Sequence, residues 1–456
     1  MKIINPATEE VLAVLQDDTA DSLAAKFDRL AAAQSSWAAE PLSVRIGVME
    51  RFMVLLEQDK STLAATLTAE MGKPLTQALN EIKGAIARIK WLSGHAAKYL
   101  ADERMDDGGG TLEERISYEP LGVVCNISAW NYPYLVGVNV FVPALLAGNA
   151  VLYKPSEFTT NTGLRIAELL KAAGVPEEVF QVAIGAGDVG KHLLGLSFDG
   201  YFFTGSYATG RYIHEQVASK LVPCQLELGG KDPIYVTDDV QDVAAVAAAT
   251  ADGAFYNNGQ SCCSVERIYV HKTIYDAYVA AFVEQVKAWK IGDPTTEEDV
   301  YFGPLARKDQ LSVLATQVAD AVEKGATLLT GGKQLEGRGY YFEPTVLVNV
   351  NHDMLVMKAE SFGPIIGIMQ VDNDEEAVAL MQDTAYGLTA GVYTPDGERA
   401  TSILRRMDVG SAYWNCCDRV SAALPWSGRR HSGIGVTLSH QGIRAFTKTK
   451  AWHLRG

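Results

Sequence analysis

Residues 150–205, AVLYKPSEFTTNTGLRIAELLKAAGVPEEVFQVAIGAGDVGKHLLGLSFDGYFFTG, alternate short apolar runs with candidate helices. The helix candidates lie at 161–173 and 187–195. The apolar runs around them have the length of buried strands: AVLYKP (150–155), FQVAIG (180–185) and YFFTG (201–205). Buried strands separated by helices form βαβ units and parallel sheets. This stretch therefore predicts an α/β fold.

The same alternation extends to both sides of this stretch. Further strands are predicted at 123–128, 233–237 and 267–271, with helices at 206–219 and 241–257. It resumes with a helix at 308–324, LLTGG (328–332), a helix at 374–384, GLTAGVYT (387–394) and GSAYWN (410–415). Residues 20–105 show helical periodicity instead. We expect two doubly wound parallel-sheet domains that join near ELGGKDP.

Composition and charge limit the classes of function. The chain has 456 residues and a net charge of −15. An acidic protein repels phosphate groups, so we expect no binding to nucleic acid or to an anionic membrane. We also expect no signal peptide, because the sequence does not open on a basic and then apolar segment. The cysteine spacing suits neither a disulfide framework nor zinc, which predicts no metal site and a reducing, cytoplasmic location.

Polar or glycine-rich segments follow four of the predicted strands. They are Ala129-Trp130-Asn131, the Lys154–Glu157 loop, GAGDVG (185–190) and Thr204-Gly205-Ser206. Ligands of open parallel sheets bind beyond the carboxyl ends of the strands. These segments therefore predict a binding site, although any one of them alone could be a simple turn.

Two of these segments suggest a dinucleotide. GAGDVG, centred on Gly187, matches GxGxxG but has no acidic partner at the usual distance, so the standard pyrophosphate contact is not predicted. Gly205 allows a phosphate to approach the backbone, and Ser206 opens a helix whose free N–H groups attract anions. Glu157 can accept two ribose hydroxyls and would repel a 2′-phosphate. NAD is favoured, and NADP remains open because Lys154 could offset that repulsion.

The segment FYNNGQSCCSVERIYV (255–270) places two adjacent cysteines between a helix and a strand. The sequence Asn257–Gly259 should end the helix, since Asn and Gly tolerate the left-handed conformation. Cys262 is then either a small core residue or a nucleophile, which needs access, a base and a group that holds negative charge. The candidate base is Glu227, which is either buried at a cost or exposed on an amphipathic strand.

Six motifs together resemble the aldehyde dehydrogenase superfamily. They are SAWN with Asn131, YKPSE, FTGS, ELGGK with Glu227, GQSCC with Cys262, and ESFGP with Glu360 and Phe362. The motifs stand in the order of that family and at close to its spacing, over about residues 120–430. Six ordered motifs are far more specific than any single one.

The resemblance implies an NAD(P)-dependent, hydrolytic aldehyde dehydrogenase. Cys262 would be the nucleophile and Cys263 a bystander, while the Asn131 amide and the Cys262 backbone N–H would hold the oxyanion of a thiohemiacetal. Glu227 would activate the water that hydrolyses the resulting thioester. Branches that pass the acyl group to coenzyme A typically lack this acid, so Glu227 favours hydrolysis. Coenzyme-A-acylating oxidation and a non-catalytic binding or structural protein remain the alternatives.

The resemblance also implies contacts with cofactor and substrate. The cofactor-binding residues would be Ile127, Ser128, Trp130, Lys154, Ser156, Glu157, Gly187, Gly205, Ser206, Leu228, Glu360 and Phe362. The substrate-pocket candidates, whose aromatic members could equally be core, are Tyr132, Tyr134, Ser261, Cys263 and Trp414. No arginine cluster flanks the catalytic loops, which favours a neutral aliphatic or aromatic aldehyde.

The sequence departs from the family pattern at three places. Ala129 replaces the usual Pro before Trp-Asn, Asn139-Val140 stands where many members have Trp-Lys, and Arg430 stands where a lysine is common. The second departure puts in doubt any substrate or cofactor contact that depends on that lysine.

Domain boundaries follow from the same resemblance. We expect an NAD(P)-binding domain at 1–102 and 121–228 and a catalytic domain at 229–430. An oligomerisation arm would comprise 103–120 and 431–456. An exposed extended arm needs a partner strand, so we expect a homodimer or a dimer-based homotetramer.

Overall fold

The computed structural model describes residues 1–105 and 112–455. Its helices are α1 (Ala20–Ala39), α2 (Leu42–Met71), α3 (Leu75–Tyr99), α4 (Pro133–Leu146), α5 (Thr160–Ala173), α6 (Gly187–Gly195), α7 (Tyr207–Val217), α8 (Val243–Phe255), α9 (Tyr275–Ala288), α10 (Lys308–Glu323), α11 (Leu355–Lys358), α12 (Asp374–Gln382), α13 (Gly397–Leu404) and α14 (Ser439–Arg444).

The strands are β1 (Lys2–Ile4), β2 (Val11–Val14), β3 (Glu103–Arg104), β4 (Leu112–Pro120), β5 (Val123–Ile127), β6 (Ala150–Lys154), β7 (Phe180–Val182), β8 (Gly200–Thr204), β9 (Cys224–Glu227), β10 (Asp232–Val236), β11 (Val265–His271), β12 (Lys290–Ile291), β13 (Val300–Phe302), β14 (Thr327–Thr330), β15 (Thr345–Val348), β16 (Ile365–Val371), β17 (Tyr386–Gly387), β18 (Thr389–Tyr393), β19 (Ser411–Trp414), β20 (Arg429–Arg430), β21 (Gly433–Ile434) and β22 (Thr447–Arg455).

The first large sheet has the strand order β21-β9-β8-β5-β6-β7. Strands β5 to β9 are parallel, and β21 pairs antiparallel with β9. The chain runs outward from β5 first through β6 and β7, then on the other side through β8 and β9. The order therefore reverses between β5 and β8, where open α/β sheets form a ligand crevice.

The second large sheet has the order β14-β15-β16-β11-β10-β18-β19, with only β14 antiparallel to its neighbour. The chain passes from the first sheet to the second between β9 and β10, at the predicted join. Helices cover both large sheets, so the expectation of two doubly wound α/β units is confirmed.

A third, antiparallel sheet has the order β22-β4-β3. Its main pairing joins nine residues of each strand, from Thr447 opposite Pro120 to Arg455 opposite Leu112. Residues 431–446, which we assigned to the same arm, lie elsewhere: β21 pairs with β9, and α14 packs on α3. The predicted turn DDGGGT (106–111) lies outside the described residues.

Proline and the apolar period explain most helix boundaries. The helical region 20–105 is divided into α1, α2 and α3 by Pro41 and Pro74, which stand directly before α2 and α3, because proline suits the first turn of a helix and not its interior. Helices α9 and α13 were not among the predicted elements, although VAAFVEQV (279–286) has a helical apolar period.

The turn after α8 confirms the predicted helix end, two residues earlier than expected. Asn257, Asn258 and Gly259 have φ values of 55°, 57° and 66°, which lie in the left-handed region. The Asn258 side chain donates to the carbonyls of Gly303 and Pro304 at 2.7 and 3.0 Å. This turn fixes the direction in which the chain leaves α8 and reaches Cys262.

Replacing Gly259 with alanine should destabilise the protein by roughly 1–3 kcal/mol, the cost of a strained left-handed residue. A Cβ at this position would also lie 2.5 Å from the Gly363 carbonyl oxygen. Gly94→Ala is the matched control, since its Cβ would meet nothing within 4 Å. The midpoint of thermal unfolding should fall for Gly259→Ala and not for Gly94→Ala. An unchanged midpoint for Gly259→Ala would contradict this account of the turn.

Candidate active site

A cavity of about 690 Å³ lies between the carboxyl ends of β5, β8 and β9 in the first large sheet and the amino ends of β10, β11 and β16 in the second. Both sheets and helix α3 contribute to its wall. Cys262, Glu227 and Asn131 all line it. Three side chains that are far apart in sequence therefore share one open space, which is the arrangement that covalent catalysis needs.

Cys262 lies in the loop between α8 and β11 and is half-buried. The preceding Gln260 holds this loop, because its side chain accepts from the Ala306 backbone N–H at 3.0 Å and donates to the Asn257 carbonyl at 3.1 Å. Cys263 is buried, and its thiol donates to Asp418 at 3.0 Å. The hydrogen bond with Cys262 and burial raise the pKa of the Cys263 thiol. Of the two cysteines, Cys262 is the more accessible.

Glu227 is the last residue of β9 and is buried. One carboxylate oxygen accepts from the Thr437 hydroxyl and from Gln225 Nε2, the latter at 3.4 Å. Burial raises the pKa of Glu227 to about 7, against the opposing effects of the Thr437 hydrogen bond, the Arg88 charge and the Gln225 hydrogen bond. A carboxyl group with this pKa can take up and release a proton near neutrality.

Asn131 follows β5 and is tied to the cysteine loop. Its side-chain amide donates to the Gln260 carbonyl at 3.1 Å. Asn257 Nδ2 donates to the carbonyls of both Asn131 and Gln260, at 3.3 and 3.2 Å. The Asn131 amide and the backbone leading to Cys262 are thus held in one hydrogen-bonded network.

A buried ion pair supports Asn131 from behind. Lys73 and Glu81 are both buried, and their side chains pair directly. Lys73 Nζ donates to the Asn131 carbonyl at 2.7 Å and lies 3.7 Å from the ring centroid of Tyr132. Glu81 accepts from the Tyr134 backbone N–H at 2.8 Å. The pair holds both ends of the segment from Asn131 to Tyr134.

Part of the predicted cofactor set lines the cavity: Trp130, Gly205, Ser206, Leu228, Glu360 and Phe362. Trp130 packs edge-to-face on Phe362, with ring centroids 5.5 Å apart. Glu360 accepts from the Gly230 backbone N–H at 3.1 Å, and burial followed by the charge of Glu266 raises its pKa to about 8.

The remaining predicted cofactor residues lie beyond the cavity, at the carboxyl ends of β5 and β6 and at the start of α6: Ile127, Ser128, Lys154, Ser156, Glu157 and Gly187. The buried Lys154 ammonium lies 3.7 Å from the Glu157 carboxylate. A donor and an acceptor side by side fit the hydroxyls of a ribose.

The wall near β8 fits a phosphate group. Ser206 caps the eleven-residue helix α7, with its hydroxyl accepting from the Thr209 backbone N–H at 3.4 Å. A Cβ on Gly205 would lie 2.4 Å from the Phe203 ring, so glycine leaves the backbone bare at this point. The start of α7 therefore combines accessible backbone with the positive end of a helix dipole.

Two of the five predicted pocket residues do not line the cavity. Tyr132, Ser261 and Cys263 line it, whereas Tyr134 and Trp414 do not. Tyr134 is buried in the core, and its hydroxyl points to the Leu63 carbonyl. Trp414 is half exposed and donates to the Thr394 carbonyl at 2.9 Å. Aromatic character alone could not separate pocket from core positions.

Several cavity residues were not predicted. Arg88 and Asp418 line the wall, while Thr437, Lys73 and Glu266 support residues that do. Glu266 accepts from the backbone N–H groups of Ser361 and Phe362 and pairs with Lys231. For Arg88 and Glu266 the available signal was a charged residue within an apolar helix face or strand, which must be buried with a partner or exposed.

Comparison with known proteins places this geometry in a family. The model of the aldehyde dehydrogenase family matches residues 1–452. The chain belongs to the aldehyde dehydrogenase family. Among curated relatives, lactaldehyde dehydrogenase from Escherichia coli (strain K12) is 32% identical over 456 residues, which are 99% of this chain and 95% of that protein.

Solved structures agree with this chain in fold. An NADP-dependent enzyme from E. coli superposes with a TM-score of 0.96 at 30% identity, covering 100% of this chain and 94% of the other. A point mutant of betaine aldehyde dehydrogenase from Staphylococcus aureus, in complex with NAD+, gives 0.95 at 29% identity, with the same two coverages. Relatives of this chain thus include enzymes that use NAD and enzymes that use NADP.

The described residues contain neither a membrane-spanning helix nor a metal-binding cluster. None of the helices within 1–105 and 112–455 is long and apolar enough to cross a membrane. The same part of the chain contains no cluster of three or more His, Cys, Asp or Glu residues arranged to hold a metal ion.

Proposed function

We propose that this aldehyde dehydrogenase oxidises a small aldehyde to the carboxylic acid by a hydrolytic mechanism. The observation that carries the proposal is the meeting of Cys262, Glu227 and Asn131 in one cavity between the two sheets. Each of these side chains suits one requirement of the chemistry: a nucleophile, a base and an oxyanion donor.

Cys262 attacks the carbonyl carbon as a thiolate, and a carbon–sulfur bond forms. The oxyanion of this adduct is stabilised by the Asn131 amide and the Cys262 backbone N–H. When NAD(P)+ is bound it would accept the hydride that leaves the adduct, and the adduct would become a thioester on Cys262. Glu227 then removes a proton from water, whose oxygen attacks the thioester on Cys262. The carbon–sulfur bond breaks, and the carboxylate leaves.

For the cofactor we propose NAD, with NADP as the alternative. Glu157 supports NAD because its carboxylate, beside the Lys154 ammonium at 3.7 Å, would repel a 2′-phosphate. Lys154 supports the alternative because it could pair with that phosphate. The proposed contacts beyond this pair are those of the predicted cofactor set, and the apolar walls of the cavity support an aliphatic or aromatic aldehyde.

We also propose a homodimer or dimer-based homotetramer in the cytoplasm. Strand β22 is the edge of its sheet, and the main-chain N–H and C=O groups on its outer side are open to a partner strand. All six cysteines, which lie within the described residues, are free thiols, and this supports a reducing compartment.

Removal of the Cys262 thiol should abolish oxidation, and removal of the Glu227 carboxylate should stop turnover after one cycle. Cys262→Ala should form no NADH from an aldehyde, whereas Cys263→Ala is the matched control and should keep activity. Glu227→Gln should give a burst of about one NADH per subunit and then little turnover, because the thioester persists. The measurement is NADH absorbance in rapid-mixing and steady-state assays.

Three results would contradict this proposal. Steady oxidation by Cys262→Ala would exclude Cys262 as the nucleophile. Wild-type turnover that requires coenzyme A and yields an acyl thioester in solution would favour the acylating alternative. Absence of NADH and NADPH formation with every aldehyde would favour a non-catalytic protein.

Thr437→Val should move the pH profile to higher pH. The Thr437 hydroxyl stabilises the ionised form of Glu227, so its loss raises the pKa of Glu227 further above its usual range. A base must be ionised to act, so at pH 7 less enzyme is active and the rising limb of kcat against pH shifts upward. Thr437→Ser keeps the hydroxyl and is the control. A limb that moves to lower pH, or not at all, would refute the role of Glu227 as base.

The arm should set the oligomeric state. Full-length protein should have the mass of two or four subunits by light scattering, and deletion of 447–455 should yield monomers, since the exposed strand edge is then removed. A monomeric full-length protein would contradict the proposed assembly.

A further inference from the structure

Arg88 is a buried cation in the wall of the catalytic cavity. It lies on α3, far from the catalytic loops in sequence, and its side chain is only 8% exposed. This position explains why the sequence that flanks the catalytic loops shows no arginine cluster. The fold, and not sequence proximity, brings the guanidinium into the cavity.

One side of the Arg88 guanidinium is fixed to α4. Nη1 donates to Asn139 Oδ1 at 2.9 Å and to the Leu135 carbonyl at 3.2 Å. Asn139 is itself buried. Asn139 also stands where many family members have the tryptophan of a Trp-Lys pair. The structural role of this departure is to accept a hydrogen bond from Arg88 and so hold its guanidinium in place.

The other side of the guanidinium is unpartnered. Nε and Nη2 donate to no atom of the described residues, and Arg88 forms no ion pair with any of their carboxylates. A guanidinium has five donors and cannot avoid its charge by losing a proton. Burial without a full set of acceptors is costly. A buried, half-partnered donor on a cavity wall is therefore suited to an acceptor on a ligand.

The surrounding wall restricts what that ligand can be. Trp91, Leu135, Val420 and Trp426 give the same cavity an apolar surface. Among the acids in the described part of the wall, Glu81 is engaged by Lys73, and Asp418 accepts from Ser261 and Cys263. An alkyl tail would satisfy the apolar wall and leave Arg88 unpaired, whereas a tail with an oxygen atom would satisfy both.

We propose that Arg88 is a specificity-determining residue that binds an acceptor oxygen, a hydroxyl or a carboxylate, on the aldehyde substrate. This rests on the proposed aldehyde oxidation. A hydroxyl keeps the substrate neutral, as the sequence suggested, whereas a carboxylate does not. The hydroxyl and the carboxylate both offer an acceptor oxygen to the guanidinium, and a matched set of substrates distinguishes the two.

The test compares three aldehydes of equal length: butanal, 4-hydroxybutanal and 4-oxobutanoate, with propanal, 2-hydroxypropanal and 3-oxopropanoate as the shorter set. The wild type should show a higher kcat/KM for the hydroxyl or the carboxylate aldehyde than for the alkyl aldehyde. Arg88→Met should lower kcat/KM for that preferred class by roughly ten- to hundredfold more than for the alkyl aldehyde, mainly through KM, with both compared above the rising limb of the pH profile. Any loss that comes from the effect of the Arg88 charge on Glu227 affects the three aldehydes alike.

Three further variants sharpen the result. Lys90→Met removes an exposed cation from the same helix and should change nothing. Arg88→Lys keeps the charge without the fork, so it should retain more of a preference for carboxylate than of a preference for hydroxyl. Asn139→Leu releases the anchor and should weaken the same preference less than Arg88→Met does. If Arg88→Met does not fold, the wild-type preference and these last two variants decide the question.

Other outcomes would overturn the proposal. Equal loss on all three aldehydes, together with a shifted pH profile, would mean that Arg88 acts through the charge of Glu227. Equal loss with a lower thermal midpoint would mean a packing role. A wild type that oxidises all three equally well would remove Arg88 as a specificity residue and leave the proposed function intact, whereas a wild type that oxidises none would remove the proposed function itself.

Discussion

The buried pair of Lys73 and Glu81 is the constraint on which the geometry of the site depends. Its two charges satisfy each other, and the remaining hydrogen-bonding capacity is directed at the Asn131 carbonyl and the Tyr134 N–H. Buried charges are tolerated only when each is paired with an opposite charge and its remaining hydrogen-bonding groups have partners. The pair can therefore occupy one arrangement, and that arrangement fixes where the Asn131 amide stands relative to Cys262.

The same lack of water gives the carboxyl groups of the cavity their properties. Burial raises the pKa of Glu227 to about 7 and that of Glu360 to about 8. At neutral pH both carboxyl groups are therefore partly protonated, whereas an exposed glutamate is almost fully ionised. For Glu227 the hydroxyl of Thr437 limits the rise, and β21 brings that hydroxyl into place through its pairing with β9. The two-residue strand β21, at the edge of the first sheet, thus influences the pKa of Glu227.

Much of the architecture could be predicted because local signals agree with the fold. The strands around 150–205 are apolar and separated by helices, and Asn257 and Asn258 occupy the left-handed turn that their side chains favour. The cavity was harder to predict. Tyr134 and Trp414 have pocket-like sequence positions but pack elsewhere. Thr437 lies 210 residues from Glu227 in the sequence and reaches it only because β21 pairs with β9. Such contacts depend on tertiary register, which no local pattern encodes.

Helix α3 shows how a tertiary site can still leave a trace in one segment. Gln77, Glu81, Gly84, Arg88 and Trp91 recur every three or four residues and all line the cavity. This spacing forms one face of an α-helix. Burying polar and charged residues on such a face is costly unless they find hydrogen-bonding or charged partners, in the protein or on a ligand. Glu81 finds its partner in Lys73, and Gly84 yields space to Leu135. Arg88 is the residue of this face whose hydrogen-bond donors the described residues satisfy only in part. We therefore infer that the substrate supplies the missing acceptor.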